Sequence, residues 1–191
     1  MTAVYFFEIP DDFVFGNHSK PENKHLTSLF GQEIVKIVAK KTLNTKEIVI
    51  EYENSGKPYL KNFPNFHFNI SHSSNAVTVA FCETPVGIDI EKITELKPKV
   101  AERYFTAEEK QYVKNSPSPV LTFFEIWTSK EAYFKRSGKG IRSDFSKTSV
   151  LTDDIKKYIH TFKHNNYVIS ICCENPQNLE FHSITKDFFD L

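Results

Sequence analysis

The stretch VGIDIE, residues 86–91, places two carboxylates where they could bind a metal ion. Side chains alternate along a strand, so Asp89 and Glu91 share one face with Gly87, while the three apolar residues point the other way. Carboxylates two positions apart on a strand lie within reach of one cation. The glycine is expected to leave space for a ligand beside them. A solvent-exposed edge strand carries similar pairs without binding anything, so this stretch alone leaves both interpretations open.

A second stretch, WTSKEAYFK at residues 127–135, could supply a third carboxylate. In a helix, Trp127, Glu131 and Lys135 are spaced by four residues and form one stripe. A Glu–Lys pair at this spacing is also common on exposed helix surfaces, but the tryptophan favours a face that is at least partly buried. Together with the pair in VGIDIE, Glu131 would form an all-oxygen site of the kind that suits Mg²⁺. Zinc would prefer histidine or thiolate ligands, which have no suitable spacing here.

Hydrogen-bond donors that suit phosphate oxygens occur in GKP and in FNISHS, earlier in the chain. They are Lys57, Ser71, His72 and Ser73. Ser-His-Ser after a strand is also ordinary turn chemistry, and a neighbouring serine and histidine are no evidence of a catalytic triad. Lys139, in the GKG that follows the long helix, could meet an anion or could lie in a simple helix stop.

Hydrophobic periodicity predicts the elements that must position these residues. The predicted helix over 98–114 is interrupted near Phe105-Thr106, and Asn165-Asn166 is a plausible hairpin turn. The order of elements is typical of an α+β fold, with two halves of similar plan that meet near Thr84-Pro85. The predicted strands cover 3–8, 47–52, 66–70, 76–82, 86–91, 158–164, 167–174 and 179–185, and the predicted helices cover 26–41, 98–114 and 121–136.

The composition is that of an ordinary globular protein without a strong overall charge. The chain has 191 residues, with 24 basic and 24 acidic side chains, so no global field attracts nucleic acid or an anionic membrane. Eighteen phenylalanines predict an aromatic-rich core. The three cysteines show no disulfide or zinc spacing and are expected to be free thiols. The start, MTAVYFFEIP, lacks the pattern of a secretory signal, and no apolar run could span a bilayer, so we expect a cytoplasmic protein without membrane contact.

Taken in order, six of these motifs resemble the phosphopantetheinyl transferases of the Sfp type. The resemblance implies an α+β fold that is a pseudo-dimer of two similar α+β halves, here residues 1–85 and 86–191, the second of which carries the metal site. It also implies a monomer with coenzyme A and Mg²⁺, or Mn²⁺ in its place, in the cleft between the halves. The motifs are GKP (56–58), FNISHS (68–73), VGIDIE (86–91), FTAEE (105–109), WTSKEAYFK (127–135) and GKG (138–140).

The family transfers the 4'-phosphopantetheine group of coenzyme A to a serine of an acyl or peptidyl carrier protein, and adenosine 3',5'-bisphosphate is the other product. The resemblance implies Mg²⁺ ligands at Asp89, Glu91 and Glu131. Glu131 is also the family's usual candidate for the base that activates the carrier serine, although a metal-bound carboxylate is a poor base. Further catalytic positions would be Lys135, beside the phosphates, and Glu109, as an alternative base or a residue behind the ligands. Coenzyme A would be bound by Lys57, Ser71, His72, Lys130 and Ser28.

The N-terminal region departs from the family pattern. Many members carry a longer segment there, with basic residues near the 3'-phosphate and adenine, whereas in this chain the region is short and offers Lys20, Lys24 and His25. The first helix starts KHLTSLFG, where members commonly have an arginine near a serine or threonine. Thr27 stands at that place here, with Ser28 beside it. These differences leave the nucleotide-end contacts open, while the positions that carry the chemistry are intact.

Two other functions fit parts of the pattern. One is a carrier-binding module that keeps the fold without catalysis, and the other is a Mg²⁺-dependent pyrophosphohydrolase, although Nudix-type and P-loop signatures are missing. The motifs do not indicate which carrier is used, in fatty-acid, polyketide or nonribosomal peptide synthesis, or whether acylated coenzyme A is accepted.

Overall fold

The computed structural model describes residues 2–10, 23–138 and 144–189, without the side chains of residues 23–25. Its strands are β1 (Thr2–Glu8), β2 (Ile50–Tyr52), β3 (Pro58–Leu60), β4 (His67–Ser73), β5 (Ala76–Cys82), β6 (Gly87–Lys92), β7 (Ile159–His164), β8 (Tyr167–Cys172) and β9 (Leu179–Ser183). Its helices are α1 (Asn23–Leu43), α2 (Pro98–Tyr104), α3 (Ala107–Asn115), α4 (Pro119–Ser137) and α5 (Asp153–Lys156), with short 3₁₀ turns at Phe145–Lys147 and Lys186–Phe189.

The described strands form three sheets, with the orders β4-β5-β1-β9, β2-β3 and β6-β8-β7. Most neighbours are antiparallel, but β9 runs parallel to β1 and covers what would otherwise be its open edge. A strand from the end of the chain therefore completes the sheet that the N-terminal half begins. The division into residues 1–85 and 86–191 stays a prediction, whereas the mixed α+β class is confirmed.

The two larger sheets share one hydrophobic core. Val4 and Phe6 from β1 pack in the same cluster as Ile88 from β6 and Ile169 from β8. Helix α1 covers the N-terminal sheet, with Phe30 against Phe7. Helix α4 packs on β6 and β8. Phenylalanines fill much of this interior, as predicted, with Phe6, Phe7, Phe123, Phe124 and Phe145 among the largest fully buried side chains.

Most predicted elements are confirmed, and each difference has a local cause. The predicted strand 47–52 is regular only over Ile50–Tyr52, where it pairs with β3. Ser-His-Ser is not a turn but the end of β4, because all three residues pair with β5 and the chain reverses at Ser74 and Asn75. Helix α4 begins two residues before the predicted start, since Pro119 fits the first helical turn.

The break near residue 105 separates α2 from α3 and follows from a capping box. Thr106 caps α3: its hydroxyl accepts a hydrogen bond from the backbone N–H of Glu109, and the Glu109 carboxylate accepts one from the N–H of Thr106. Phe105 is buried just before it. The sequence FTAEE thus carries a helix start in addition to any role in chemistry.

Other predictions concern the thiols and the helix end. Cys82, Cys172 and Cys173 are free and buried. Gly138 ends α4 with a φ of 68°, a conformation that glycine adopts without strain. Lys139 and the second glycine of GKG lie outside the described residues. None of the described helices has the length and apolarity needed to cross a bilayer.

Candidate functional site

The three predicted metal ligands meet in one cavity of about 270 Å³. Asp89 and Glu91 come from β6 and Glu131 from α4, and Lys135 lies one helical turn further along. The opposite wall is β4, which contributes Ile70, Ser71 and His72. The structure therefore brings together six of the predicted site residues: Ser71, His72, Asp89, Glu91, Glu131 and Lys135.

A close approach between β6 and α4 creates this cavity. Ile88 and Ile90 enter the core with at most 1% exposure, so Gly87, Asp89 and Glu91 face α4. A Cβ atom at Gly87 would lie 2.0 Å from the carbonyl oxygen of Ala132 and 2.4 Å from the backbone nitrogen of Arg136. The expectation that this glycine leaves room for a ligand is therefore wrong, because the backbone of α4 fills that space. Its effect is to let α4 carry its side chains to the acids.

Asp89 is held on one side and open on the other. Its Oδ1 accepts hydrogen bonds from Ser71 Oγ at 2.8 Å and from Lys135 Nζ at 2.6 Å. Its Oδ2 is buried and has no hydrogen-bond partner among the described residues. Burying a carboxylate oxygen without a hydrogen-bond partner costs folding free energy, and a bound cation would remove that cost. This atom is therefore suited to be a cation ligand.

Burial and the closeness of the acids raise the pKa values of two of them. Burial first, and then the negative charges of Asp89 and Glu91, raise the pKa of Glu131 to about 7 against the opposing effect of Lys135. Burial, and then Asp89, also raise the pKa of Glu91. Each proton bound here reduces repulsion among the carboxylates, and a divalent cation would do the same.

The residues of the cavity fit a hard cation in their chemistry. The donors are carboxylate oxygens, as Mg²⁺ and Mn²⁺ prefer, and one of them is an orphaned buried oxygen. Among the residues that the structure describes, no three His, Cys, Asp or Glu side chains stand ready-made around a metal position. In the conformation described, the ammonium group of Lys135 supplies the positive charge beside Asp89.

A row of polar side chains on β4 joins that strand to β6, and the sequence analysis missed it. Asn69 Oδ1 accepts a hydrogen bond from the backbone N–H of Ile88 at 2.8 Å. Ser71 donates to Asp89, and Ser73 donates to Glu91 at 2.9 Å. The signal was present as polar residues at every second position of FNISHS, which place them on one face of a strand.

Lys57 has a different environment from the one predicted. Its ammonium group donates to three backbone carbonyls, those of Val86, Lys135 and Arg136, at 2.9–3.1 Å. Two of these carbonyls belong to the last turn of α4, where carbonyl groups lack helical partners. Burial lowers the pKa of Lys57 below its ordinary value, and the negative charge of nearby Glu53 offsets only part of this shift. Lys57 therefore stabilises the end of α4 in this conformation, although its side chain also lines a neighbouring hollow.

Lys130 and Glu109 are not brought to the cavity. They form an ion pair at 2.8 Å, and both side chains are fully buried. Lys130 also donates to the carbonyl of Thr148, and Glu109 accepts from the backbone N–H of Val150 at 2.9 Å. These contacts satisfy both charges inside the C-terminal half. The placement indicates a structural role, in contrast to the predicted contacts with phosphate and substrate.

The remaining predicted contacts lie on α1 and before it. Ser28 is partly buried in the first part of α1 and is not among the residues that line the carboxylate cavity, while its neighbour Thr27 is fully buried. Lys20 and the side chains of Lys24 and His25 lie outside the described residues.

Comparison with known proteins gives a consistent result. The sequence model of the 4'-phosphopantetheinyl transferase superfamily matches residues 85–182, which is 98 of the chain's 191 residues. The region includes β6 and α4, and hence all three carboxylates of the cavity. The predicted resemblance is confirmed.

Individual relatives carry the same description. The 4'-phosphopantetheinyl transferase psf-1 of Bacillus pumilus is 38% identical over 66% of this chain and 57% of its own length. The transferase gsp of Aneurinibacillus migulanus is 41% identical over 74% of this chain and 68% of its own length. Sfp of Bacillus subtilis is 31% identical over 81% of this chain and 76% of its own length. All three are named as transferases, which supports the prediction of an enzyme.

Proposed function

Because the chain belongs to the 4'-phosphopantetheinyl transferase superfamily, we propose that it transfers the 4'-phosphopantetheine group of coenzyme A to a serine hydroxyl of an apo acyl or peptidyl carrier protein. The observation that carries this proposal is the cavity in which Asp89, Glu91 and Glu131 face Lys135 and the serine-bearing strand β4. It combines ligands for a divalent cation with donors for phosphate oxygens, the two requirements for breaking a pyrophosphate bond.

In this proposal, Asp89, Glu91 and Glu131 hold Mg²⁺, and Mn²⁺ can replace it. A cation held by these three carboxylates would supply positive charge that offsets the negative charge developing as the phosphoanhydride breaks. Ser71 and His72 line the same cavity and donate hydrogen bonds to phosphate oxygens. Lys135 leaves Asp89 for the substrate phosphates, which keeps its charge within the cavity.

Glu131 is the candidate for the proton transfer. The carrier serine must lose its hydroxyl proton as it attacks phosphorus, and a base works best when its pKa is close to the working pH. The pKa of Glu131 is raised to about 7 by burial, and then by Asp89. In this role, one oxygen of Glu131 accepts the proton directly or through a water molecule. A bound metal would lower this basicity, so ligand and base functions compete for the same carboxylate.

We place coenzyme A across the junction of residues 1–85 and 86–191. A second hollow of about 220 Å³ shares Ile70 and Lys135 with the carboxylate cavity and extends to the turn at Ser55 and Gly56. Its position allows one elongated ligand to occupy both. We further propose that the protein acts as a monomer in the cytoplasm.

The direct test is to incubate the protein with apo carrier proteins from fatty-acid, polyketide and nonribosomal peptide synthesis, together with coenzyme A and Mg²⁺. The expected result is a mass gain of one phosphopantetheine on at least one carrier. No gain on any of them would overturn the proposal. Replacing coenzyme A by acetyl-coenzyme A tests whether an acylated arm is accepted.

The matched variant Asp89→Ala should abolish transfer while the fold persists, because the change removes one ligand and also relieves repulsion among the acids. Mass spectrometry of the carrier and far-UV circular dichroism of the variant check the two parts. Near-native turnover by Asp89→Ala would show that the metal-site assignment is wrong. Adenosine bisphosphate released from coenzyme A without a carrier would instead indicate a hydrolase.

A further inference from the structure

The carboxylate of Glu91 is held from two sides, by Ser73 and by Trp127. Ser73 Oγ donates to Glu91 Oε2 at 2.9 Å, and the indole N–H of Trp127 donates to Glu91 Oε1 at 3.4 Å. One donor comes from β4 and the other from α4, so the acid on β6 is clamped between the two elements that enclose the cavity.

The Ser73 hydroxyl is oriented by a second hydrogen bond, in addition to the one that it donates to Glu91. Its oxygen accepts a hydrogen bond from the backbone N–H of Lys92 at 3.1 Å. A hydroxyl has a single hydrogen to donate, and the contact with the N–H occupies one of its lone pairs. The hydrogen is therefore available for the Glu91 carboxylate, and the fixed backbone of β6 sets its direction.

The indole N–H of Trp127 is also fixed in direction, because aromatic rings pack around it. Its ring centroid lies 5.6 Å from that of Tyr104 in α2 and 5.7 Å from that of Phe145 in the 3₁₀ turn. Indole nitrogen donates and cannot accept, so its contact selects a carboxylate oxygen. The aromatic neighbours keep the N–H in place while Glu91 keeps three rotatable bonds.

Without these two donors, repulsion would move Glu91 away from the other acids. Asp89 lies two residues earlier on the same face of β6, and its carboxyl group lines the same cavity. Like charges on one face of a strand repel one another, and a flexible side chain relieves that repulsion by rotating towards solvent. Hydrogen bonds to a charged acceptor contribute enough to oppose such a rotation.

We propose that Ser73 and Trp127 are positioning residues that hold the Glu91 carboxylate beside Asp89 and Glu131 and so preorganise the cavity for a divalent cation. The inference rests on the proposed function for the identity of the cation. Residues that orient metal ligands typically change metal affinity about 10- to 100-fold when they are removed. Neither residue is expected to touch the cation or the substrate.

The experiment measures binding of Mn²⁺ alone to the full-length protein, by electron paramagnetic resonance of the free ion at about pH 8, where carboxylates are ionised. Ser73→Ala and Trp127→Phe remove one donor each, and the phenylalanine keeps an aromatic ring in the packing site. We expect each variant to bind Mn²⁺ about 10-fold more weakly. Ser73→Thr retains the hydroxyl and should recover wild-type affinity, which a purely structural role of the serine would not require.

Ser149→Ala is the matched control. Ser149 makes the same pair of contacts elsewhere: its Oγ donates to Glu108 at 3.1 Å and accepts from the N–H of Leu151 at 3.3 Å. The Ser149→Ala variant should bind Mn²⁺ with the affinity of the wild type. Equal affinity of Ser73→Ala, Trp127→Phe and the wild type would overturn the inference, and so would a wild type that binds no Mn²⁺. The carrier assay uses a different readout, so failure of the proposed function is recognised separately.

Discussion

At the scale of single residues, the protein tolerates three acids in one small cavity. Asp89 is 5% exposed and is compensated on one oxygen by Ser71 and Lys135. Among the described residues, Glu131 has no comparable set of donors, and its pKa rises to about 7 through burial and the charge of Asp89. An acid in this situation lowers the stability of the folded protein whenever it is ionised.

The substitution Glu131→Gln should therefore stabilise the metal-free protein in a pH-dependent way. Because the folded-state pKa lies above the ordinary value of 4.5, the folded protein binds a proton that the unfolded chain releases, and stability falls as pH rises from about 4.5 to 7. We expect the variant to exceed the wild type by up to about 3 kcal/mol near pH 8 and by less than about 1 kcal/mol near pH 5. Urea denaturation in the presence of a chelator measures both. A constant difference across this pH range would contradict the prediction.

At the scale of elements, the site depends on how closely α4 lies on β6. Gly87 allows the helix backbone to approach, and Lys57 satisfies carbonyls in the last turn of that helix. The buried pair of Lys130 and Glu109 ties the same helix to α3. Removing one member of such a pair leaves an uncompensated buried charge, at a cost of about 3–5 kcal/mol. The residues that orient α4 thus support the site without lining it.

Gly87→Ala should be strongly destabilising, because its Cβ would lie 2.0 Å from the carbonyl oxygen of Ala132 and the helix would have to move. We expect a loss of about 3 kcal/mol or more in the free energy of unfolding, measured by urea denaturation. The control is Gly56→Asn, since Gly56 has a φ of 85° with open space around it and asparagine tolerates that conformation. Similar small effects of both changes would show that α4 is not held at this distance.

Lys57→Met tests whether this lysine acts through the fold. Methionine keeps much of the apolar stem but removes the ammonium group that donates to three carbonyls, of which that of Lys135 retains the N–H of Gly138. We therefore expect a loss of about 1–3 kcal/mol in stability. Thermal denaturation of the variant and of the wild type, both without coenzyme A, measures this loss of stability. Unchanged stability together with weaker coenzyme A binding would favour the phosphate contact that the sequence motif suggests.

At the scale of the whole molecule, the residues on either side of the predicted boundary after residue 85 are joined by more than the chain connection between them. Strand β9 pairs with β1, and side chains of β4 bond to β6. The hydroxyl of Tyr167 in the C-terminal sheet lies 3.0 Å from Glu8 Oε1 and 2.8 Å from Asn75 Oδ1 in the N-terminal half. The core between the sheets is continuous. Each half buries apolar surface that it would expose on its own.

The protein should therefore unfold in one cooperative transition. Trp127 is the single tryptophan of the chain, so its fluorescence follows the packing of α4, whereas far-UV circular dichroism follows all elements. We expect both signals to change at the same urea concentration. Separate midpoints would show that residues 1–85 and 86–191 unfold independently.

Much of the fold and of the carboxylate cluster was predictable from the sequence, because both depend on local periodicity. Alternation in VGIDIE placed Asp89 and Glu91 on one face, and four-residue spacing placed Glu131 and Lys135 on one stripe. The order of motifs then identified the family. Local patterns also indicated where the strands and helices lie, with small errors at their ends.

Tertiary structure decided the roles of the remaining residues. The ammonium group of Lys57 bonds to carbonyls of Lys135 and Arg136, 78 and 79 positions away, and Lys130 bonds to Glu109, 21 positions away. A lysine has a long side chain, and its partner is whichever acceptor the packed elements bring within reach, so spacing along the chain cannot reveal it. The need for a glycine at position 87 likewise becomes visible only when α4 lies against β6, because a side chain there would collide with the helix backbone. The sequence by itself determined which groups could carry the chemistry, and the packing of α4 on the two sheets decided which of them meet.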